Sequence, residues 1–362
     1  MVVGSGRLAH ALCHSLAATA VPEPVRVTVL ARNHAAAADL ARTSQVRASV
    51  SGAAVHFSAQ PWTEDLAFAL DRLRPTVLVC VASAQSPYER VLAPSAWTDL
   101  IGCAGFGATL ALQAELVARL AHALARTTSD ALLVNGCFPD AVNPVLAGLG
   151  LPVHCGLGNV ATLAACLQAA LDLPDQRELR MLGHHAHLAQ PAGAAATDAA
   201  QAQEVLVWRG GQPMPGVTDL LAGYRALPRT ELNAIAGHAA ARLLAELVGG
   251  SADLRTNLPG PVGLPGGYPV HLRGRSLELN LPAGLSRADA VAWNAAAGLR
   301  DGVEVIGSKV SYPDPAQAVL ARYLPEVAVG WPVTALPEVC QLFTDLRQQL
   351  RTAPPVPAAP AE

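Results

Sequence analysis

Lysine is almost absent from the chain: Lys309 is the only one among its 362 residues. That scarcity closes most routes to catalysis through a lysine Schiff base. Charge of either sign is sparse, at 15% of residues with a net charge of -3, which gives no electrostatic reason to expect nucleic acid or an anionic membrane as partner. A disulfide pattern is also missing. The cysteines at positions 13, 80, 103, 137, 155, 166 and 340 are scattered, odd in number and mostly set in apolar runs, so they read as reduced core thiols of a cytoplasmic protein. No charged segment with an apolar core and cleavage site precedes Gly4, and a secretory leader is not expected. Residues Ala141 to Leu171 carry no formal charge, yet they include Pro144, Pro152, four glycines and two asparagines. Such a stretch fits buried strand, turn and helix better than a membrane span.

What the chain does have is apolar residues, 51% of the total, and a length that suits two ordinary domains. It opens on Val2-Val3-Gly4-Ser5-Gly6-Arg7-Leu8-Ala9, a short apolar run entering a G-x-G-x-x-A turn, and a helix-compatible stretch follows to Ala18. In a dinucleotide-binding unit Gly4 makes the tight turn, Gly6 lets the backbone approach a pyrophosphate, and Ala9 lets helix and strand pack closely. The helix N-terminus offers free N–H groups to the phosphates. Only three residues precede Gly4, so the first strand is expected to be short.

Further along, Val25 to Leu30 is an alternating β-branched run ending in Ala31-Arg32-Asn33, and Thr76 to Ala82 and Ala131 to Asn135 are apolar throughout, as parallel strands covered on both faces are. Residues His34 to Thr43 read as helix, Val46 to Ala59 as one or two strands, and Trp97 to Ala125 as a long helical segment interrupted by glycines 102, 105 and 107. This alternation predicts a doubly wound parallel sheet of the Rossmann type through about residue 150. The second half mixes strand candidates (Val153 to Gly156, Arg177 to Leu182, Glu204 to Trp208) with helices at Asn159 to Leu171 and Thr230 to Val248. Asn257 to Gly267 reads as a Pro/Gly loop, Tyr268 to Leu281 as a hairpin turning at Arg273-Gly274-Arg275, and Ser286 as the cap of a helix reaching about Asp301. Two more helical stretches, Pro315 to Leu324 and Leu336 to Leu350, precede a tail from Thr352 that is expected to be disordered. The expected division is 1–150, a dinucleotide-binding domain; 151–310, an α+β substrate domain; 311–351, a helical extension; and the tail 352–362.

The order of these pieces resembles the lactate/malate dehydrogenase superfamily from Val2 to about Ile306. The resemblance rests on the glycine turn, Val77 to Ala82 with the following loop that holds Arg90, and Val134-Asn135-Gly136-Cys137-Phe138-Pro139-Asp140. It continues through Gly156-Leu157-Gly158-Asn159-Val160-Ala161-Thr162 and Leu182-Gly183-His184-His185-Ala186, then the Tyr268 hairpin and the Ser286 helix. It implies a Rossmann-type sheet followed by an α+β domain, a nicotinamide cofactor and a homodimer or homotetramer. It also implies His185 as general acid/base, Asn135 as a contact to substrate and cofactor, and Arg90 as an anion contact on a substrate-side loop. Two family positions differ: Thr162 stands where the family places the aspartate that orients the histidine, and Ala165 where it places the arginine that grips a carboxylate.

These readings give an NAD(P)-dependent oxidoreductase that moves a hydride to or from a small carbonyl or alcohol, a 2-oxo or 2-hydroxy acid or a related metabolite. His185 has a side chain that titrates in the range such chemistry needs. The cofactor contacts are expected at Gly4, Ser5, Gly6, Arg7, Leu8, Ala9, Arg32, Asn33, Val81 and Ala82. An arginine at position 32, where NAD binders usually carry a carboxylate, favours NADP over NAD. No metal is expected, since His154, His184, His185 and His187 do not show a standard ligand spacing. Two alternatives stand beside this reading. One is an NAD- and metal-dependent hydrolase similar to family 4 glycosidases; the other is a nucleotide-binding protein without catalysis.

Overall fold

A computed structural model describes residues 1–188, 204–250 and 253–352. Its centre is a six-stranded sheet of β1 (Val2–Val3), β2 (Val25–Ala31), β3 (Val55–Pro61), β4 (Val77–Cys80), β5 (Leu132–Asn135) and β6 (Cys155–Gly156). The order is β3-β2-β1-β4-β5-β6 and every pairing is parallel. This is the doubly wound dinucleotide-binding order, in which ligands meet the carboxyl ends of the strands where the order reverses between β1 and β4. One row of paired residues, Leu30, Val3, Cys80, Asn135 and Gly156, crosses the sheet at that end. The glycine turn, Arg32, Val81 and Gly136 therefore all emerge along the same edge.

Helices cover both faces: α1 (Arg7–Leu16), α2 (His34–Ser51) and α3 (Leu66–Leu73) precede the short α4 (Glu89–Leu92), and α5 (Ala96–Ala104), α6 (Leu110–Ala125) and α7 (Pro139–Gly148) follow. Residues Val46 to Ser51, expected to be strand, continue α2 instead. Leu40, Ala41, Ser44 and Ala48 recur at three- and four-residue spacing on its buried side, while Val46 and Val50 face solvent. The glycines at 105 and 107 divide the Trp97 to Ala125 segment as expected, with a 3-10 turn, Phe106–Thr109, between α5 and α6.

The remainder comprises α8 (Val160–Ala170), β7 (Leu179–Leu182), β8 (Leu206–Arg209), β9 (Gln212–Pro213), α9 (Val217–Arg225), α10 (Arg229–Gly249), β10 (Asp253–Pro259), β11 (Gly267–Arg273), β12 (Ser276–Leu279) and α11 (Arg287–Gly298). The hairpin β11–β12 turns where the sequence placed it, and Ser286 Oγ accepts from Asp289 N at 3.1 Å as the helix cap. Asn257 to Pro259, read as loop, form the end of β10. Asn257 Oδ1 accepts from Met181 N at 2.8 Å and so joins β10 to β7. After α11 come β13 (Glu304–Ile306), β14 (Lys309–Ser311), α12 (Asp314–Leu320), β15 (Gly330–Pro332) and α13 (Leu336–Thr352), and the three strands form a small antiparallel sheet that the sequence did not reveal.

One apolar core joins α5 and α6 to this C-terminal segment through Trp97, Leu112, Val310, Trp331 and Phe343. A second lies on the opposite face between α1, α2, α10 and β11. No helix among the described residues is long and apolar enough to cross a membrane. The expected tail beyond Thr352 and most of the Leu188 to Gln203 loop lie outside the described residues.

Candidate active site

The glycine turn is built for a close backbone approach. Gly4 has φ +129, and a Cβ there would lie 2.9 Å from the Val81 carbonyl oxygen and 3.0 Å from Ala82 Cβ, so the turn packs directly on the end of β4. At Gly6 the reverse holds: a Cβ would meet nothing within 4 Å, and Gly6 caps α1 with no side-chain hydrogen bond to the first turn. The first N–H groups of α1 thus have no side-chain cap, at the helix end that attracts anions. Ala9 is fully buried behind them and Leu8 lies partly buried beside Gly136. Arg7 rests its guanidinium 4.4 Å from the centre of the Tyr88 ring, and Tyr88 in turn accepts a hydrogen bond from Asn233 of α10. Arg32 is exposed at the end of β2, while Asn33 caps α2, its Oδ1 accepting from Ala36 N at 3.1 Å. These features fit a dinucleotide: an uncovered phosphate cradle at Gly4 to Leu8, and an unobstructed arginine one strand away.

Asn135 stands in the same row of the sheet, but its amide is engaged inward. Nδ2 donates to Cys137 O at 3.1 Å and to Asn143 Oδ1 at 2.8 Å, while Oδ1 accepts from Cys137 N at 2.8 Å. The side chain is fully buried and shapes the turn into α7. That turn forces Phe138 into the left-handed region at φ +45, a costly conformation for a bulky residue. It also delivers Asp140, whose Oδ1 accepts from His185 N at 3.0 Å and whose Oδ2 accepts from Asn159 Nδ2.

His185 begins a 3-10 turn after β7. Its ring stacks on Phe106 at 4.9 Å between centres and meets Phe138 edge-on at 5.2 Å. Its Nδ1 lies 3.0 Å from both carboxylate oxygens of Asp301, and the Nδ1 of His184 lies 3.0 Å from Oδ2 of the same group. A carboxylate can only accept, so Nδ1 of His185 carries the hydrogen and Nε2 of the neutral ring keeps its lone pair. Among the described residues Nε2 has no hydrogen-bond partner, and the side chain is 14% exposed. Burial alone lowers the proton affinity of this imidazole, but the charge and hydrogen bond of Asp301, aided by the Asp140 charge, outweigh burial and an opposing Arg229 and hold its pKa above the ordinary value. For Asp301 burial acts upward, and the two histidines overcome it to place the pKa far below the usual carboxylate range.

Asp301 is the member of this cluster that sequence reasoning missed. It ends the 3-10 turn that follows α11, and Gly302 (φ +86) and Gly105 (φ +89) let this turn meet the α5 end backbone to backbone. A Cβ at Gly302 would lie 2.2 Å from Ala104 O, and one at Gly105 would lie 2.5 Å from Asp301 O. That contact brings Phe106 and Asp301 to the same imidazole. Thr162 and Ala165, the two positions that differ from the resembled family, lie in α8, whereas the carboxylate that meets His185 comes from the turn after α11.

The other candidates lie apart. Arg90 is exposed on α4 and turned towards α5, where a Cβ at Gly102 would be 3.7 Å from its Nη1. Its neighbour Glu89 is buried and accepts from Arg347 Nη2 at 2.8 Å, with Arg351 Nε also 2.8 Å away, which fastens α4 to α13. His187 is stacked on Trp293 at 5.4 Å and takes a hydrogen bond from Arg300 Nη2 at 2.7 Å; burial and the Arg300 charge lower its pKa to about 3. Burial likewise lowers His154 to about 4. Among the described residues no three His, Cys, Asp or Glu side chains are grouped to hold a metal.

No family model and no curated protein matches the sequence. Solved structures do resemble the fold. A lactate dehydrogenase from a Medee basin deep-sea metagenome library aligns with a TM-score of 0.51 and 13% identity, over 83% of this chain and 95% of that one. The minor L-lactate dehydrogenase of Enterococcus mundtii, in its ligand-bound form, aligns with a TM-score of 0.50 and 12% identity, over 82% and 94% of the two chains. The architecture is therefore the one these dehydrogenases share, a Rossmann-type sheet followed by an α+β domain, at a sequence distance where only the fold carries over.

Proposed function

We propose that the protein is an NAD(P)-dependent oxidoreductase acting on a small carbonyl or alcohol, with His185 as general acid/base and Asp301 as the carboxylate that orients it. The observation that carries this reading is the pairing of His185 Nδ1 with both Asp301 oxygens at 3.0 Å, which leaves Nε2 unengaged. Residues 1–150 hold the nucleotide and residues 151–310 present the histidine. The amides after Gly4 and Gly6 would hold a pyrophosphate, and Arg32 would meet a 2′-phosphate, which favours NADP over NAD in this reading. A nicotinamide bound there would supply the hydride chemistry at the substrate carbon.

In the reducing direction protonated His185 donates from Nε2 to the carbonyl oxygen as negative charge develops there. The imidazole returns to its neutral form with hydrogen on Nδ1, still held by Asp301. In the oxidising direction Nε2 accepts the hydroxyl proton, and Asp301 stabilises the imidazolium that forms. Phe106 and Phe138 clamp the ring on its face and edge, so the acid/base atom keeps one orientation. The substrate class is a 2-oxo or 2-hydroxy acid or a related small polar metabolite. We further assign the protein to the cytoplasm as a homodimer or homotetramer.

Fluorescence titration with NADPH and NADH, followed by turnover of a panel of small carbonyls by the wild type and His185→Gln, tests the proposal. Binding of NADPH in the micromolar range with turnover lost in the variant supports it. Equal turnover by both proteins refutes the assignment of His185.

A further inference from the structure

Asp301 serves two histidines, of which acid/base chemistry at His185 needs only one. His184 is 2% exposed, and its Nδ1 lies 3.0 Å from Asp301 Oδ2, an oxygen that His185 Nδ1 also meets at 3.0 Å. Among the described residues this carboxylate has no other ion-pair partner. Two imidazoles and one buried anion therefore form a closed group, with His185 at the end that keeps a free Nε2.

The position of the His184 ring is set by its neighbours. Gly183 pairs with Gly267 of β11 in both directions, at 3.3 and 2.7 Å, and His184 N donates to His187 Nδ1 at 2.9 Å. Room for the ring comes from Gly298 at the end of α11, where a Cβ would lie 2.9 Å from Val303 O and 3.4 Å from His184 Nε2. The Ala186 amide also points at His184 Nδ1, but from 3.4 Å, which is long for a hydrogen bond. A lone pair on that nitrogen would face the carboxylate at 3.0 Å and be repelled by it. His184 thus carries its hydrogen on Nδ1, as His185 does.

We propose that His184 is a positioning residue for the acid/base group: by sharing the charge of Asp301 it limits how tightly His185 holds its proton. The inference rests on the reading of His185 as the acid/base group. A buried carboxylate that gives its whole charge to one imidazole binds that proton strongly, and a strongly bound proton is slow to leave for a substrate oxygen. A second donor stabilises the anion independently of His185 and so weakens that hold. The other groups that face the cluster keep their places when His184 is replaced. Asp140 favours the proton on His185 and Arg229 opposes it. Arg300 lies beside Asp301, Glu304 lines a small cavity with His184 and Asp140, and His187 is neutral at ordinary pH.

Two substitutions separate charge sharing from space filling. In His184→Asn an amide nitrogen can stand where Nδ1 does, while the ring in His184→Phe fills the site without a donor. NMR titration of the His185 ring needs no turnover. It should give a pKa about one unit or more above wild type in His184→Phe and close to wild type in His184→Asn. The alkaline limb of kcat/KM for carbonyl reduction should rise with it. In wild-type protein with isotope-labelled histidine, the ring nitrogen signals should show hydrogen on His184 Nδ1, a measurement that needs no variant to fold. An unmoved or lowered His185 pKa in folded His184→Phe, an equal shift in both variants, or a His184 Nδ1 without hydrogen overturns the proposal. Turnover by His185→Gln tests the acid/base reading separately, and its outcome does not enter the NMR results.

Discussion

Replacing Asp301 by asparagine keeps the shape of the side chain and removes its charge from beside buried His184 and part-buried His185. In the wild type His185 is held above its ordinary pKa by that charge, against the effect of its own burial. In Asp301→Asn burial and Arg229 prevail, and the pKa falls below the ordinary value of about 6.5. For reduction the protonated ring is the active form, so the alkaline limb of the kcat/KM profile should move to lower pH, by about one unit or more. A hydrogen bond to a charged partner contributes about 1.5–3 kcal/mol, which converts to a loss of about 10- to 150-fold in rate at optimal pH if the contact persists in the transition state. Stability should respond with a definite sign. The raised histidine stabilises the fold below about pH 6.5 and loses this contribution as pH rises through its folded value. The depressed aspartate stabilises above about pH 3.9 and loses this contribution only in strong acid. The difference between wild type and variant should therefore be widest between about pH 4 and 6.5, at about 2–3 kcal/mol, and narrow above it. Urea denaturation across this range together with the pH–rate profile checks both parts. A variant with an unmoved profile and a rate within about twofold of wild type would refute the reasoning.

Other substitutions probe the glycine turn, the end of β2, the α4 ion pair and the strained turn after β10. Gly6→Ala should leave the melting temperature unchanged, since a Cβ meets nothing within 4 Å, yet weaken nucleotide binding by about tenfold or more; Gly4→Ala should lower stability itself, because of φ +129 and the Val81 carbonyl at 2.9 Å. Arg32→Asp should reduce affinity for NADPH and not for NADH, which parallel fluorescence titrations would show. Glu89→Gln should destabilise the fold by about 2–3 kcal/mol in urea and expose α4 to proteolysis, because Arg347, 16% exposed, loses its buried counterion. Val262→Gly should raise stability by about 1 kcal/mol in the same assay, as a β-branched residue at φ +45 that is 49% exposed gives up strain and little packing.

Strands β4 and β5 were legible because they are apolar almost throughout, β2 because its β-branched residues alternate with polar ones, and the glycine turn because each of its positions has a steric reason. The helix α2 was cut short in the reading because Val46, Ala48 and Val50 imitate strand alternation, while the small residues that seat the helix, Ser44 and Ala48, carry little hydrophobic signal. Residues Asn257 to Pro259 look like loop, but they pair with Gly267 to Pro269 and Asn257 satisfies a neighbouring strand. The strands β13 to β15 have three residues each, too few to show a period. In the site, His185 could be named from its neighbours in sequence, but its carboxylate could not. Asp301 is 116 residues away, and an Asp-Gly pair closing a helix looks like an ordinary turn. The inward engagement of Asn135 depends on Asn143 and on the path of the turn after β5, which no local pattern encodes.

The most direct test of the account follows the transferred atom. Wild-type protein incubated with NADPH deuterated at nicotinamide C4 and a panel of 2-oxo acids should yield a 2-hydroxy acid carrying deuterium at C2, with the yield lost in His185→Gln and strongly reduced in Asp301→Asn. NADPH that binds the protein and is released with its deuterium intact, with no labelled product from any member of the panel, would contradict it.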